Sequence, residues 1–312
     1  MRHRVVLSAA GATLVAALAL TLLGVGDDPD KLPNWQAFVL GIVQGATELL
    51  PVSSSGHLAL VPWLGDWDFL RENPDFNHAF DVGIHLGTLV AVGVYFRREI
   101  VTLLAAWFRT LGTRRIETPD ERVAWFVFVA TIPAAVFGAL GDDYIAENLG
   151  QPWQVAILLA VFALVLLWAD RRPQSREMSD LGLGTALGVG LAQSLALMPG
   201  VSRSGITITA ARLLGLDRDS AARFSFLLLV PTTLGAVLYK GMTDVVLGDP
   251  PSDVLGPFVV GTLAAAGSGL LAITGLLDYV RRHDYSLFVW YRLAAAAAVG
   301  LLILAGVREA TF

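Results

Sequence analysis

The sequence predicts an all-α, polytopic membrane protein organised as an inverted repeat. Each half is one re-entrant helical hairpin plus three transmembrane helices, and an extra hydrophobic segment precedes them. Three observations predict this class. Of 312 residues, 55% are hydrophobic and only 16% charged, against roughly 25% charged in a soluble domain; too few polar side chains remain to cover a globule, so the bilayer is the natural solvent. Seven runs approach the roughly 20 apolar residues that a crossing needs: about 5–25, 79–96, 123–141, 153–169, 224–240, 256–278 and 287–306. Two further apolar stretches, 34–65 and 181–213, are too long for one crossing, and each contains a Pro followed by a cluster of Ser.

Taken in order, the first 32 residues begin with Arg2 and Arg4 and end in a Gly/Asp-rich stretch. They read as a signal peptide or an uncleaved first span; the run is long for a signal, and Ala17, Leu18 and Ala19 make only a fair cleavage site, so a retained span is the expectation. Residues 33–312 form one integral-membrane domain, with repeat one at 33–170 and repeat two at 180–306. The eight Trp residues lie at or near segment ends, as interfacial belts do. Positive charge sets orientation. Arg109, Arg114, Arg115 and Arg122 put the 97–122 loop inside, as do Arg171, Arg172 and Arg176 for 170–180 and Arg281 and Arg282 for 279–286. Asp142, Asp143 and Glu147, then Asp244, Asp249 and Asp253, fall in Arg-free loops expected outside. The alternation closes only if 34–65 leaves and returns on the outside and 181–213 does so on the inside. Sequence similarity between the stretches agrees. Gly41, Gln44, Val52, Ser53, Ser55 and Gly56 match Gly190, Gln193, Val201, Ser202, Ser204 and Gly205 without a gap, and three spans per half invert the second copy.

Composition excludes several chemistries. There is no Cys, hence no disulfide, Cys-ligated zinc, iron–sulfur cluster or Cys nucleophile. The net charge of -5 is mild and gives no case for nucleic acid.

The hairpins carry the chemistry. The first reads GIVQGATELLPVSSSGHLAL. Gln44 and Glu48 are four apart and share a helix face; Pro51 ends that helix, and Ser53, Ser54 and Ser55 sit where a second half-helix begins. A helix N-terminus offers free N–H groups and partial positive charge to a phosphate, Gly56 permits close backbone approach, and His57 lies about one turn after Ser54. The second hairpin reads AQSLALMPGVSRSGITIT. Pro199 and Gly200 break the helix; Ser202, Arg203, Ser204 and Thr207 follow, and Arg203 presents a fork of donors suited to phosphate oxygens. A charge at membrane depth costs roughly 2.5–3.5 kcal/mol, so Glu48 and Arg203 are expected to be paired or to work. A structural Glu48–Arg203 pair alone would leave the Ser clusters and His57 unexplained, although Ser at a helix start is often only an N-cap.

These two motifs, with FSFLLLVPTTLGA at 224–236 and the pair Tyr291 and Arg292, resemble the bacterial undecaprenyl-diphosphate phosphatase family, also called the bacitracin-resistance family, over about residues 34–306. The resemblance implies a phosphoanhydride hydrolase of the plasma membrane that removes the terminal phosphate of undecaprenyl diphosphate. It would recycle the lipid carrier for peptidoglycan synthesis, confer bacitracin resistance and open to the outer face. It implies Glu48, Ser54, His57 and Arg203 as catalytic residues, and Gln44, Gly200, Ser202, Ser204 and Thr207 as substrate-binding ones, which Ser53, Ser55 and Gly56 join on the half-helix argument above. It also implies a divalent cation, Mg2+ or Ca2+, with Glu48 as its protein ligand. Gln44 departs from a position that is often Glu, leaving Glu48 any acid or metal role. His85 stands where many members have Gln and reads as a hydrogen-bonded span residue. The acid-phosphatase-like lipid phosphatases share Ser-Gly-His and Ser-Arg fragments, but Thr209 occupies the place of their required His.

The expected mechanism places the diphosphate between the two half-helix N-termini, with Ser54 as nucleophile, His57 as general acid or base and Arg203 stabilising charge; Ser54, His57 and water stay open as the attacking group. Expected partners are a polyprenyl diphosphate lipid and the bilayer, with a second copy of the chain as a candidate. The rival reading is an inverted-repeat transporter or flippase for the carrier.

Overall fold

A computed structural model of the chain describes residues 2–24, 32–242 and 255–312, apart from the side chains of Arg2, His3, Arg4, Asp75, Asp142, Asp143, Ala146 and Glu147. The acidic residues expected outside, Asp142, Asp143, Glu147, Asp244, Asp249 and Asp253, therefore lie outside what is described. Among the described residues there are thirteen α-helices and no β-strand. Helix α1 (Arg2–Leu22) precedes the first hairpin, α2 (Asn34–Leu49) and α3 (Ser54–Gly65). One turn, α4 (Phe69–Glu72), leads to α5 (Pro74–Tyr95), α6 (Arg97–Thr113), α7 (Pro119–Asn148) and α8 (Pro152–Asp170). The second hairpin, α9 (Leu183–Gln193) and α10 (Arg203–Leu213), is followed by α11 (Arg218–Lys240), α12 (Leu255–Val280) and α13 (Ser286–Leu304).

Among the described residues, seven helices are long and apolar enough to cross a membrane: α1, α5, α7, α8, α11, α12 and α13. They are the seven the sequence predicts. Several begin earlier than the apolar pattern because their caps lie in polar residues. Pro opens α5, α7 and α8, where a missing N–H costs nothing, and Thr118 with Glu121 forms a capping box at the start of α7.

The hairpin helices are too short to cross. Sixteen residues in α2 and eleven each in α9 and α10 make rods of about 24 and 16 Å, against a hydrocarbon core of about 30 Å. Trp35, at the start of α2, packs edge-on against Trp67, just past α3, with ring centroids 5.0 Å apart. The first hairpin therefore leaves and returns at one end of the molecule. The C-terminal segment sits there too: Trp63 Nε1 donates to Glu309 O (3.1 Å) and Arg308 pairs with Asp66. Helix α8 starts at this end, where Phe312 N donates to Gln151 Oε1 (2.9 Å). It finishes at the other, where Asp170 accepts from Arg212 Nε (3.2 Å), Arg218 Nε (2.8 Å) and Tyr285 N (2.9 Å). The second hairpin opens at that Arg-rich end, where Arg176 donates to both Leu214 O and Asp180 O, tying the start of α9 to the end of α10. The two hairpins thus enter from opposite ends, as the charge alternation requires.

The packing repeats under exchange of halves. Helix α2 lies on α12 and α9 on α7, while α5 packs against α11 and α8 against α13. Small residues make the close approaches possible. A Cβ on Gly41 would run into Gly261 O and one on Gly45 into the Ser268 hydroxyl; on the equivalent Gly190 it would lie 2.5 Å from Ala130 O. Helix α1 packs on α12 in the same way, and a Cβ on Gly267 would lie 3.0 Å from Ala10 O.

One expectation needs correction. The 97–122 segment, read as a loop, is largely helix α6, with Val101, Leu104, Phe108 and Leu111 exposed along one face. An apolar stripe beside Arg97, Arg98 and Arg109 is the pattern of a helix lying in the membrane interface.

Candidate active site

The two breaks in the hairpins meet. Ser53 and Ser202 occupy equivalent positions, each at φ +77°, a conformation that costs a non-Gly residue of order 1–3 kcal/mol. Each caps its half-helix: Ser53 Oγ accepts from Gly56 N (3.3 Å) and Ser202 Oγ from Gly205 N (3.1 Å). The breaks also hold each other. Ser53 Oγ accepts from Gly200 N (3.1 Å), and Ser204 Oγ donates to Leu50 O (2.8 Å). Glycine is required where they touch α8 and α13. Gly200 has φ +104° and a Cβ there would lie 2.9 Å from Val155 O; one on Gly56 would lie 3.0 Å from Val155 Cγ1, and one on Gly205 3.0 Å from Arg292 Nη1.

Arg292 of α13 is wholly buried and clamps both breaks. Its guanidinium donates to Gly200 O (2.9 Å), Val201 O (3.1 Å) and Leu159 O (3.2 Å), with a longer contact to Pro51 O (3.4 Å). This charge is neutralised by carbonyl dipoles alone among its hydrogen-bond partners.

Beside the junction, Glu48 at the end of α2 carries a different partner on each oxygen. Oε1 accepts from Arg203 Nε (3.1 Å) and Nη2 (3.0 Å), and Oε2 accepts a short hydrogen bond from the Ser54 hydroxyl. Arg203 Nη1 also donates to Ser225 O (3.1 Å), and Gln44 Nε2 lies 3.5 Å from Glu48 Oε2. The carboxylate of one hairpin thereby joins the guanidinium of the other to a hydroxyl at the first turn of α3. The caps take the N–H groups of Gly56 and Gly205; those of Ser54, Ser55, Arg203 and Ser204 have no intrahelical acceptor, as is usual in a first turn.

His57 takes its partners from the cap of its own helix and from α13. It makes no hydrogen bond with Ser54. Its Nδ1 lies 2.7 Å from Ser53 O and its Nε2 2.7 Å from the Tyr291 hydroxyl. The spacing of three residues puts Ser54 and His57 on one face of α3, but the ring is turned back to the carbonyl four residues before it, while Ser54 points to α2. Of the other expected phosphate ligands, Ser53, Ser202, Ser204 and Thr207 spend their hydroxyls within the protein; Thr207 Oγ1 bonds Ser225 Oγ (2.7 Å) and Arg203 O (2.7 Å). Ser55 is exposed. Gln193, the equivalent of Gln44, is buried with no hydrogen bond to its amide. His85 is the hydrogen-bonded span residue expected, its Nδ1 2.8 Å from Asp81 O, and it lies within electrostatic reach of Glu48.

The donor set tests the expected cation. Both oxygens of Glu48 are engaged, and among the described residues no three His, Asp or Glu side chains gather as ligands would. These residues do not form a resident metal cage, which for Mg2+ or Ca2+ would be built of several oxygen ligands.

The model of the family described as bacitracin resistance protein BacA matches residues 37–298. The chain belongs to this family. Among BacA relatives, a protein named undecaprenyl-diphosphatase from Pelotomaculum thermopropionicum is 41% identical over 279 residues, covering 89% of this chain and 99% of the relative. Proteins of the same name from Gemmatimonas aurantiaca and Geobacter sulfurreducens are each 46% identical, over 85% and 84% of this chain and 96% of each relative. The BacA match spans both hairpins and all the spans but α1 in whole or large part, so the whole cluster around Glu48 lies within it.

Proposed function

We propose that this BacA-family protein is an undecaprenyl-diphosphatase: it hydrolyses undecaprenyl diphosphate to the monophosphate carrier and inorganic phosphate. The observation that carries the reading is the Ser54–Glu48–Arg203 chain at the first turns of two opposed half-helices. The names of its relatives support the same substrate.

The terminal phosphoryl group lies between the first turns of α3 and α10, where N–H groups and Arg203 stabilise its charge. Glu48 takes the Ser54 hydroxyl proton as Oγ bonds the terminal phosphorus. The bond from that phosphorus to the bridging oxygen breaks, and its electron pair leaves with the lipid monophosphate. A water gives one proton to His57 Nε2 as its oxygen bonds the phosphorus; the bond from phosphorus to Oγ breaks, Ser54 recovers its proton from Glu48, and His57 passes its proton to the departing phosphate. Glu48 is the carboxylate that would hold a Mg2+ or Ca2+ brought in by the diphosphate, and such an ion would supply neutralisation of the phosphate charge. Glu48, Ser54, His57 and Arg203 all come from one chain, so a homodimer is not needed to complete the cluster. The Arg-rich end faces the cytoplasm of the plasma membrane by the positive-inside bias, and substrate reaches the site from the outer face. Removal of the diphosphate form accounts for bacitracin resistance.

Phosphate release from undecaprenyl diphosphate by purified protein in detergent tests the reading. Detergent has no compartments, so release there supports an enzyme, and its absence with transport in liposomes would support the flippase reading. Rapid quenching should trap phosphate on Ser54. Full hydrolysis by Ser54→Ala would assign the attack to water.

A further inference from the structure

Tyr291 has no place in the steps above, yet it holds the one ring nitrogen of His57 that can accept a proton. A carbonyl oxygen only accepts, so the 2.7 Å contact between His57 Nδ1 and Ser53 O fixes a proton on Nδ1. In the neutral ring Nε2 is then bare, and the Tyr291 hydroxyl 2.7 Å away must donate to it. The neutral ring is thereby held in one tautomer and one rotamer, pinned at one nitrogen by the cap of its own helix and at the other by a side chain of α13. The two rings are also nearly parallel, 12° apart with centroids 5.6 Å from each other.

The position of Tyr291 is set by its neighbour. Arg292 is locked onto the carbonyls of both breaks, which fixes the register of α13 against the junction. Tyr291 stays 46% exposed, so its ring has room to move when a ligand arrives.

We infer that Tyr291 is a positioning residue for this site: its hydroxyl holds His57 with the Nε2 lone pair presented, and gives up that place to a water, which can donate to the same lone pair, when the diphosphate binds. The inference rests on the phosphatase reading for what His57 does, but the contact itself can be read without turnover.

Two measurements test it. Solid-state 15N NMR of histidine-labelled protein in lipid bilayers reports the tautomer of each of the five His residues, and His57→Ala assigns the signal. The expected spectrum at neutral pH has His57 protonated at Nδ1 and hydrogen-bonded at a bare Nε2. In Tyr291→Phe, the Nε2 signal moves to that of a free lone pair while Nδ1 stays. The second measurement is a double-mutant cycle of phosphate release. Tyr291→Phe should lower kcat about tenfold, the worth of one hydrogen bond, with KM nearly unchanged, and should have no further effect in the His57→Ala background. Wild-type His57 protonated at Nε2 instead, an Nε2 signal unmoved in Tyr291→Phe, or a full effect without His57 would each overturn the inference. Wild-type protein that releases no phosphate would count against the phosphatase reading, and the NMR result would still decide the role of Tyr291.

Discussion

Glu48 is bound on one side by a guanidinium and on the other by a hydroxyl, so its removal has two separable effects. Arg203 is 13% exposed and Glu48 8% by side chain, and stripping one partner from such a pair leaves an uncompensated charge that costs about 3–5 kcal/mol. Arg203→Ala and Glu48→Gln should each abolish phosphate release and also lower Tm. The double variant Glu48→Gln/Arg203→Met should recover most of the lost Tm, because neither charge remains, yet stay inactive; recovery of activity with stability would show the pair to be only a strut. At this scale the sequence was informative where cost made it so. Glu48 and Arg203 stood out because charge in an apolar segment is expensive. Tyr291 and Arg292 carry part of the family resemblance, and Arg292 offers the same signal, a lone charge near the start of a predicted span. For Ser54 and His57, residue spacing fixes a shared helix face, while neighbours such as Tyr291, 234 positions away in the chain, decide where a ring points.

The half-helices depend on their caps more than ordinary helices do, since Ser53 and Ser202 hold both a first turn and, for Ser53, the opposite hairpin. Ser53→Ala removes the cap and keeps the unfavourable φ, so it should cost about 1–2 kcal/mol. Ser53→Gly loses the same hydroxyl but relieves the backbone, and should be the milder of the two by thermal melting. Along α2, Gly45→Leu would drive a side chain into Ser268 and the Ala265 carbonyl; it should prevent assembly of the bundle, seen as loss of the folded peak in size-exclusion chromatography. All seven spans were readable because about 20 apolar residues is a coarse and robust signal. Helix α6 was not legible as an element, because its longest apolar run, residues 103–108, is only six residues long and is bounded by Thr102 and Arg109, far short of a span. The sharp turn at each break was readable only as a Pro followed by Ser; that Ser would adopt φ +77° follows from contacts between the hairpins.

The absence of Cys makes the topology directly testable. Asp66→Cys and Asp180→Cys lie at the two ends of the molecule and should react with an impermeant thiol reagent from opposite faces of the membrane. Labelling of both from one face would remove the inverted arrangement. The charge pattern made this architecture legible before any contact was known, whereas the exchange of partners between halves was not, because no run of sequence says that α2 lies on α12 and α9 on α7. That exchange has a further consequence. Each half buries its hairpin chiefly against a helix of the other, so a break in the covalent link at residues 173–175 leaves those contacts intact, with Arg176 and its bonds to the end of α10 staying in the second half. A gene cut there into two reading frames should yield fragments that are insoluble apart and active together.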